Sequence, residues 1–140
     1  MKQLTLGIIA LLASMMVMAN NGRPDYQFDE FKSIDSFRSS DIKGWGRIND
    51  QVLTVSAGAN KRYLLVLTRP DRDIAFSHAI GVTSNAGRVM ARFDGVYAGN
   101  ANIRVKIPIK YIYEIKGKDQ FEQARALVEE RALAAKSAGE

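Results

Sequence analysis

A chain of 140 residues, 46% apolar and 25% charged, has the length and composition of one globular domain. It carries a formal charge of +5, one histidine and no cysteine, which excludes a zinc site of clustered His and Cys ligands, a disulfide framework and lipid attachment to an N-terminal cysteine.

Residues 1–19 read as a secretory signal: Lys2, an apolar run over 4–18, then Val17-Met18-Ala19 in a small-x-small pattern that predicts cleavage after Ala19. The rival reading is an uncut membrane anchor. The run falls short of the roughly 20 residues that cross hydrocarbon, and it contains Thr5 and Ser14. Cleavage removes Lys2 alone among the charges and leaves the mature chain at +4. A basic exported chain meets anionic lipid, lipopolysaccharide, cell-wall polymer or another envelope protein rather than nucleic acid. The expected localisation is therefore the periplasm, with no membrane-spanning segment after cleavage and a core that holds without disulfides.

Residues 20–33 read as a flexible arm whose aromatics, Tyr26, Phe28 and Phe31, tack it to the domain. A β domain is expected over 34–116. It opens on scattered apolar residues, Ile34, Phe37 and Ile42, and then Trp45 introduces a strand, turn, strand pattern. Asn49-Asp50 is a turn, QVLTVS over 51–56 a strand, Gly58-Ala59-Asn60 a turn and YLLVL over 63–67 a strand. YLLVL is apolar on both faces, which places it in the middle of the sheet. Ile74 to His78 can make one helical turn. A hairpin turn over 84–87 then leads into RVMARFDGVY, where Val89, Ala91 and Phe93 alternate with Met90, Arg92 and Asp94, and Gly99-Asn100 makes the next turn.

The sheet is organised around IRVKIPIKYIYEIK, residues 103–116. Ile103, Val105, Ile107, Ile109, Tyr111, Tyr113 and Ile115 face one way in an extended chain, with Arg104, Lys106, Lys110, Glu114 and Lys116 on the other side. Such a strand would run to roughly 45 Å, so it is expected to bend, and Pro108 marks the place where it leaves one sheet and enters another. The fold class that follows is mainly β: a single small antiparallel meander closing as a barrel or sandwich, with a short helical turn and a C-terminal α-helix. That helix, with its tail, is expected over 117–140. Asp119 and Glu122 resemble a capping box, and Phe121, Ala124, Val128, Ala132 and Ala135 form one thin apolar stripe.

HAIGVTSNAGRVMARFDGV, residues 78–96, closely resembles the middle of a family of small exported bacterial proteins classified only as a domain of unknown function. There an AIG-[VL]-TS-N element precedes GRV-x-x-RFD. Trp45 ahead of the VLTV strand, the YLL strand at Tyr63 and the isoleucines Ile109 and Ile112 agree in order, so the resemblance spans about 42–127. It implies no known activity. Members often carry a cysteine after a Gly-Pro pair and another in the last strand, which the resemblance implies to be a disulfide there; Asp71 and Ile107 stand at those places here. That departure undercuts any redox or metal role built on those cysteines and leaves the fold intact.

Candidate chemistry is sparse. Ser77 and His78 point apart in an extended segment, so they form no nucleophile and base pair, and a surface or capping histidine is expected. Asp71 and Asp73 lack the glycine and terminal glutamate of a calcium loop. No metal or cofactor is expected. The candidate ligand-binding set is Tyr63, Asn85, Arg88, Arg92 and Asp94; Arg88, Arg92 and Asp94 are expected to share one strand face near the Asn85 turn, either pairing along the sheet or contacting an anion. Arg104, Lys106 and Lys110 make a basic face, solvated or a stripe for acidic envelope polymers. Trp45 reads as a core or barrel-mouth residue. The leading functional expectation is a non-enzymatic periplasmic binding or envelope-associated module with a basic surface. The alternatives are a small-ligand binder or enzyme with an Arg/Asp/Tyr site, and a structural subunit docking through its C-terminal helix.

Overall fold

The computed structural model describes residues 23–58, 60–99 and 104–138; the expected leader over 1–19 and the turn or strand residues Ala59, Asn100 and Ile103 lie outside them. The described residues divide into two compact units, Gln27–Arg125 and a second formed by residues 23–26 with 126–138. The larger unit holds β1 (Lys32–Ile34), β2 (Ser36–Arg38), a 3-10 turn (Ser39–Asp41), β3 (Gly44–Arg47), β4 (Val52–Ser56), β5 (Lys61–Leu67), α1 (Arg72–Ala75), β6 (Ile80–Val82), β7 (Arg88–Met90), β8 (Gly95–Ala98) and β9 (Ile107–Lys116), and α2 (Gly117–Ala138) starts in it.

The fold is mainly β, a curled antiparallel half-barrel sheet ordered β3-β4-β5-β9-β8-β6, with β1 also on β9 and a separate β2-β7 ribbon. The meander holds only through β5. Its next neighbour is β9 rather than β6, because Leu64 and Val66, buried on the second face as Leu65 and Leu67 are on the first, need a long apolar partner. β5 thus takes the mid-sheet place expected of YLLVL. Asn49 makes its turn by accepting the Gln51 and Val52 N–H groups through its side chain, at 2.9 and 2.7 Å. The helical turn begins two residues before Ile74, where the Asp71 carboxylate caps Asp73 N–H at 2.8 Å.

β9 changes partner at Pro108: Ile107 and Pro108 pair with β8, and Ile109 to Lys116 with β5. Its alternation is not continuous. Leu67 pairs with Ile109 and Val66 with Tyr111, so Lys110 is an extra residue, a bulge that reverses the phase. Ile107, Ile109 and Ile112 therefore enter one core with Phe37, Leu53, Tyr63, Leu65, Ile74 and Val89, whereas Tyr113 faces the other way, edge-on to Phe28 and Phe31 at 5.6 and 6.5 Å between ring centroids. The strand also starts later than the pattern implied. Arg104 to Lys106 precede it, and Val105, expected inward, is 48% exposed.

Phe28 and Phe31 are buried. The Tyr113 hydroxyl accepts the buried Phe28 N–H at 3.0 Å. Tyr113→Phe is expected to cost about 1–2 kcal/mol by leaving that donor short of a partner; an unchanged denaturation midpoint would show that the bond holds nothing.

Gly117, at φ +79°, turns β9 directly into α2. The reach-back cap is Gln120, whose side-chain oxygen accepts Lys116 N–H at 2.8 Å, not the Asp119 and Glu122 box, because the helix starts ahead of Asp119. Arg62 stacks 4.1 Å over the Phe121 ring and Ala124 is buried. In the smaller unit Tyr26, Val128 and Ala135 are buried and Arg131 donates to the Asp25 carbonyl at 3.0 Å.

Candidate functional site

The Asn85 turn is a two-residue hairpin. Asn85 and Arg88 exchange backbone hydrogen bonds at 2.9 and 3.0 Å, and Ala86 and Gly87 both take positive φ. Arg88 then lies in β7 and donates to Ser36 Oγ at 3.0 and 2.8 Å. From Ala91 the chain leaves the strand. RVMARFDGVY is not one alternating strand; residues 91–93 form a turn between β7 and β8. Arg92 and Asp94 consequently do not share a strand face.

The turn closes on Asp94, a buried carboxylate. One oxygen accepts Met90 N–H at 2.8 Å and the other accepts the Thr83 hydroxyl at 2.8 Å; Thr83 Oγ in turn accepts Gly95 N–H at 3.0 Å. Backbone bonds fix the turn to β9. Arg92 N–H donates to the Ile109 carbonyl at 2.6 Å, and the Asp94 carbonyl accepts Ile109 N–H at 2.9 Å. Arg92 adopts φ +73°, a conformation that costs a non-glycine residue on the order of 1 kcal/mol or more.

The result is that Phe93, between two residues tied to the same β9 isoleucine, projects its ring outward at 72% exposure. The alternation puts it on one face with Val89 and Ala91, which are buried. The Asp94-Gly95 dipeptide, a turn signal, was the clue against that reading.

The start of β9 brings cations to this corner. Lys106 Nζ donates to the Phe93 carbonyl at 3.3 Å. Arg104 lies 5.4 Å over the Tyr97 ring and Lys110 5.2 Å over Tyr111. None of the three is ion-paired with an acid among the described residues, whereas Glu114 gathers Lys32, Lys61 and Lys116 at 4.0, 3.8 and 3.4 Å. Lys61 is held above the ordinary lysine value of 10.5, first by the Tyr63 side chain and then by Glu114, so it stays cationic through neutral pH.

The five ligand candidates occupy separate places. Tyr63 is buried and stacked on Phe37 at 4.3 Å; Asn85 and Arg88 sit in the β7 hairpin; Arg92 reaches exposed Asp35 at 3.9 Å; Asp94 is spent inside its turn. Two surface depressions at the α2 start, lined by Arg62, Lys118, Phe121 and Glu122 and by Ala57, Lys61 and Lys116, include none of them. His78 is exposed, and the Ser77 hydroxyl donates to the Ala79 carbonyl. No group of three or more potential acidic, His or Cys metal ligands occurs among the described residues. No helix among them is long and apolar enough to cross a membrane.

A model for DUF6491, a family of unknown function, matches residues 1–134. The chain belongs to the DUF6491 family. In this family member the Thr83-Ser84-Asn85 and Arg92-Phe93-Asp94 elements, separated by six residues in the sequence, meet through the Thr83 to Asp94 hydrogen bond. No curated protein and no solved structure matches the chain significantly.

Proposed function

We propose that this DUF6491 protein is an exported, non-enzymatic module that associates with an anionic component of the bacterial envelope through its basic surface. The observation that carries the reading is the cluster of Arg104, Lys106 and Lys110 at the start of β9, cationic side chains without an acidic partner among the described residues. Lys32 of β1, Lys61 of β5 and Lys116 of β9 converge on Glu114, whereas Arg104, Lys106 and Lys110 follow one another with no acid between them in the sequence, a local concentration of positive charge. Export rests on the charged, apolar, small-x-small order of residues 1–19.

Cell fractionation tests both parts. The expected result is protein lacking residues 1–19 by intact mass, co-sedimenting with envelope fragments at low salt and released at high salt as the counter-charges are screened. Lys106→Glu with Lys110→Glu is expected to weaken that retention by about 25-fold or more, roughly fivefold for each cation lost before any repulsion from the added carboxylates. Full-length protein in the cytosol, or retention indifferent to salt and to charge reversal, would sink the proposal.

A further inference from the structure

We infer that the corner formed by the 91–93 turn and the start of β9 docks on a bilayer bearing anionic phospholipid headgroups, with Phe93 inserting between them. The inference rests on the envelope association proposed above and names its partner. Phe93 is 72% exposed, yet its backbone is not loose: Arg92 N–H and the Asp94 carbonyl both bond Ile109, and the Asp94 carboxylate clamps Met90 and Thr83. An apolar ring held outward by a buried polar clamp and a left-handed Arg92 is positioned by the fold at some cost.

Charge and chemistry around the ring select its partner. Lys106 Nζ sits on the Phe93 carbonyl itself, and Val105, next in the chain, is 48% exposed. Arg104 and Lys110 stand over tyrosine rings, and tyrosine is a side chain enriched at membrane interfaces. Cations alone would hold a soluble polyanion. A projecting phenyl ring among cations adds apolar transfer to the coulombic attraction, the combination that binds an anionic bilayer surface.

Co-sedimentation of the purified protein with vesicles tests this, using phosphatidylethanolamine with phosphatidylglycerol against phosphatidylcholine alone. Wild type and variants are all used as the processed chain isolated from cells, lacking residues 1–19 as proposed above, so the apolar leader contributes nothing to the binding that is read. Binding is expected to require phosphatidylglycerol and to weaken about tenfold in Phe93→Ser, the loss of one inserted ring, and roughly fivefold for each cation lost in Lys106→Gln or Lys110→Gln. Phe76→Ser, removing an aromatic that is 80% exposed at the end of α1, is expected to bind as wild type. Circular dichroism of Phe93→Ser, whose ring supports no core, is expected to be unchanged.

If Phe93→Ser binds like wild type while the lysine variants lose affinity, insertion is overturned and the envelope reading stands. Absence of binding to phosphatidylglycerol vesicles, with salt-sensitive retention on envelope fragments intact, likewise overturns only the lipid partner. Equal losses in Phe76→Ser and Phe93→Ser would overturn the assignment to this corner.

Discussion

Asp94→Ala is expected to destabilise the protein by about 3 kcal/mol, because it leaves two donors without the acceptor that the fold built around them. Met90 N–H and the Thr83 hydroxyl both point at Asp94, 2.8 Å away, in a place where the carboxylate is 6% exposed and water has little access. Alanine fills less space and accepts nothing. In a domain of this size such a loss lowers the thermal midpoint by on the order of 10 °C. Asp94→Asn keeps one acceptor and is expected to fall between the two. Thr83→Val removes the hydroxyl at nearly constant volume, and a double-mutant cycle with Asp94→Ala is expected to show coupling, since both changes break the same bond. Additive effects would mean that the two motif elements do not hold each other. The variant also bears on docking: with the clamp gone, Phe93 is no longer fixed outward, so vesicle affinity is expected to fall along with stability.

Gly95→Ala is the second large effect, expected at about 2–3 kcal/mol or more. A Cβ at this position would lie 2.5 Å from the Ile107 carbonyl oxygen and 2.6 Å from Lys106 Cγ. The lysine stem can swing away. The carbonyl cannot, because it belongs to the strand that pairs with β8 at Gly95 and Val96. Relief therefore requires moving β8 from β9, which separates the Phe93 turn from its cations. Gly81→Ala is a useful comparison. There the added methyl meets the ring of its cross-strand partner Tyr97, a side chain that can rotate outward, and a smaller loss of about 1–2 kcal/mol is expected. Urea denaturation of the two variants side by side decides the matter: an equal or reversed order would show that the contact with the Ile107 carbonyl is absorbed without strand movement.

Much of the fold was readable from local pattern. YLLVL was legible as a central strand because burial on both faces demands apolar residues at every position, and the period of two around Ile107 and Ile109 is a direct consequence of alternating side chains. Proline at 108 marked a change of pairing because it has no N–H to give. The reading failed where one residue alters the phase. The bulge at Lys110 leaves no composition signal, since a charged residue is equally at home on an exposed face, and it exchanges the faces of Tyr113 and Ile115 with that of Ile112. The same limitation applied to Phe93. Val89, Ala91 and Phe93 keep a perfect alternation, and only the meeting of Asp94 with Thr83, a partner set eleven residues earlier, turns the chain before the third of them can enter the core.

The sequence by itself determined the mainly β class, the C-terminal helix, the absence of cysteine chemistry and the basic balance, because each depends on composition or on periodicity within a few residues. Membership in DUF6491 also resides there, in the order of short motifs. Tertiary structure decided which strands are neighbours, which aromatics are inside and which cations stand without an acid nearby. These are consequences of long-range pairing: β9 lies against β5, β8 and β1 at once, and that placement gathers three lysines on Glu114, leaves Arg104, Lys106 and Lys110 without an ion-paired acid among the described residues and holds one phenyl ring out toward solvent.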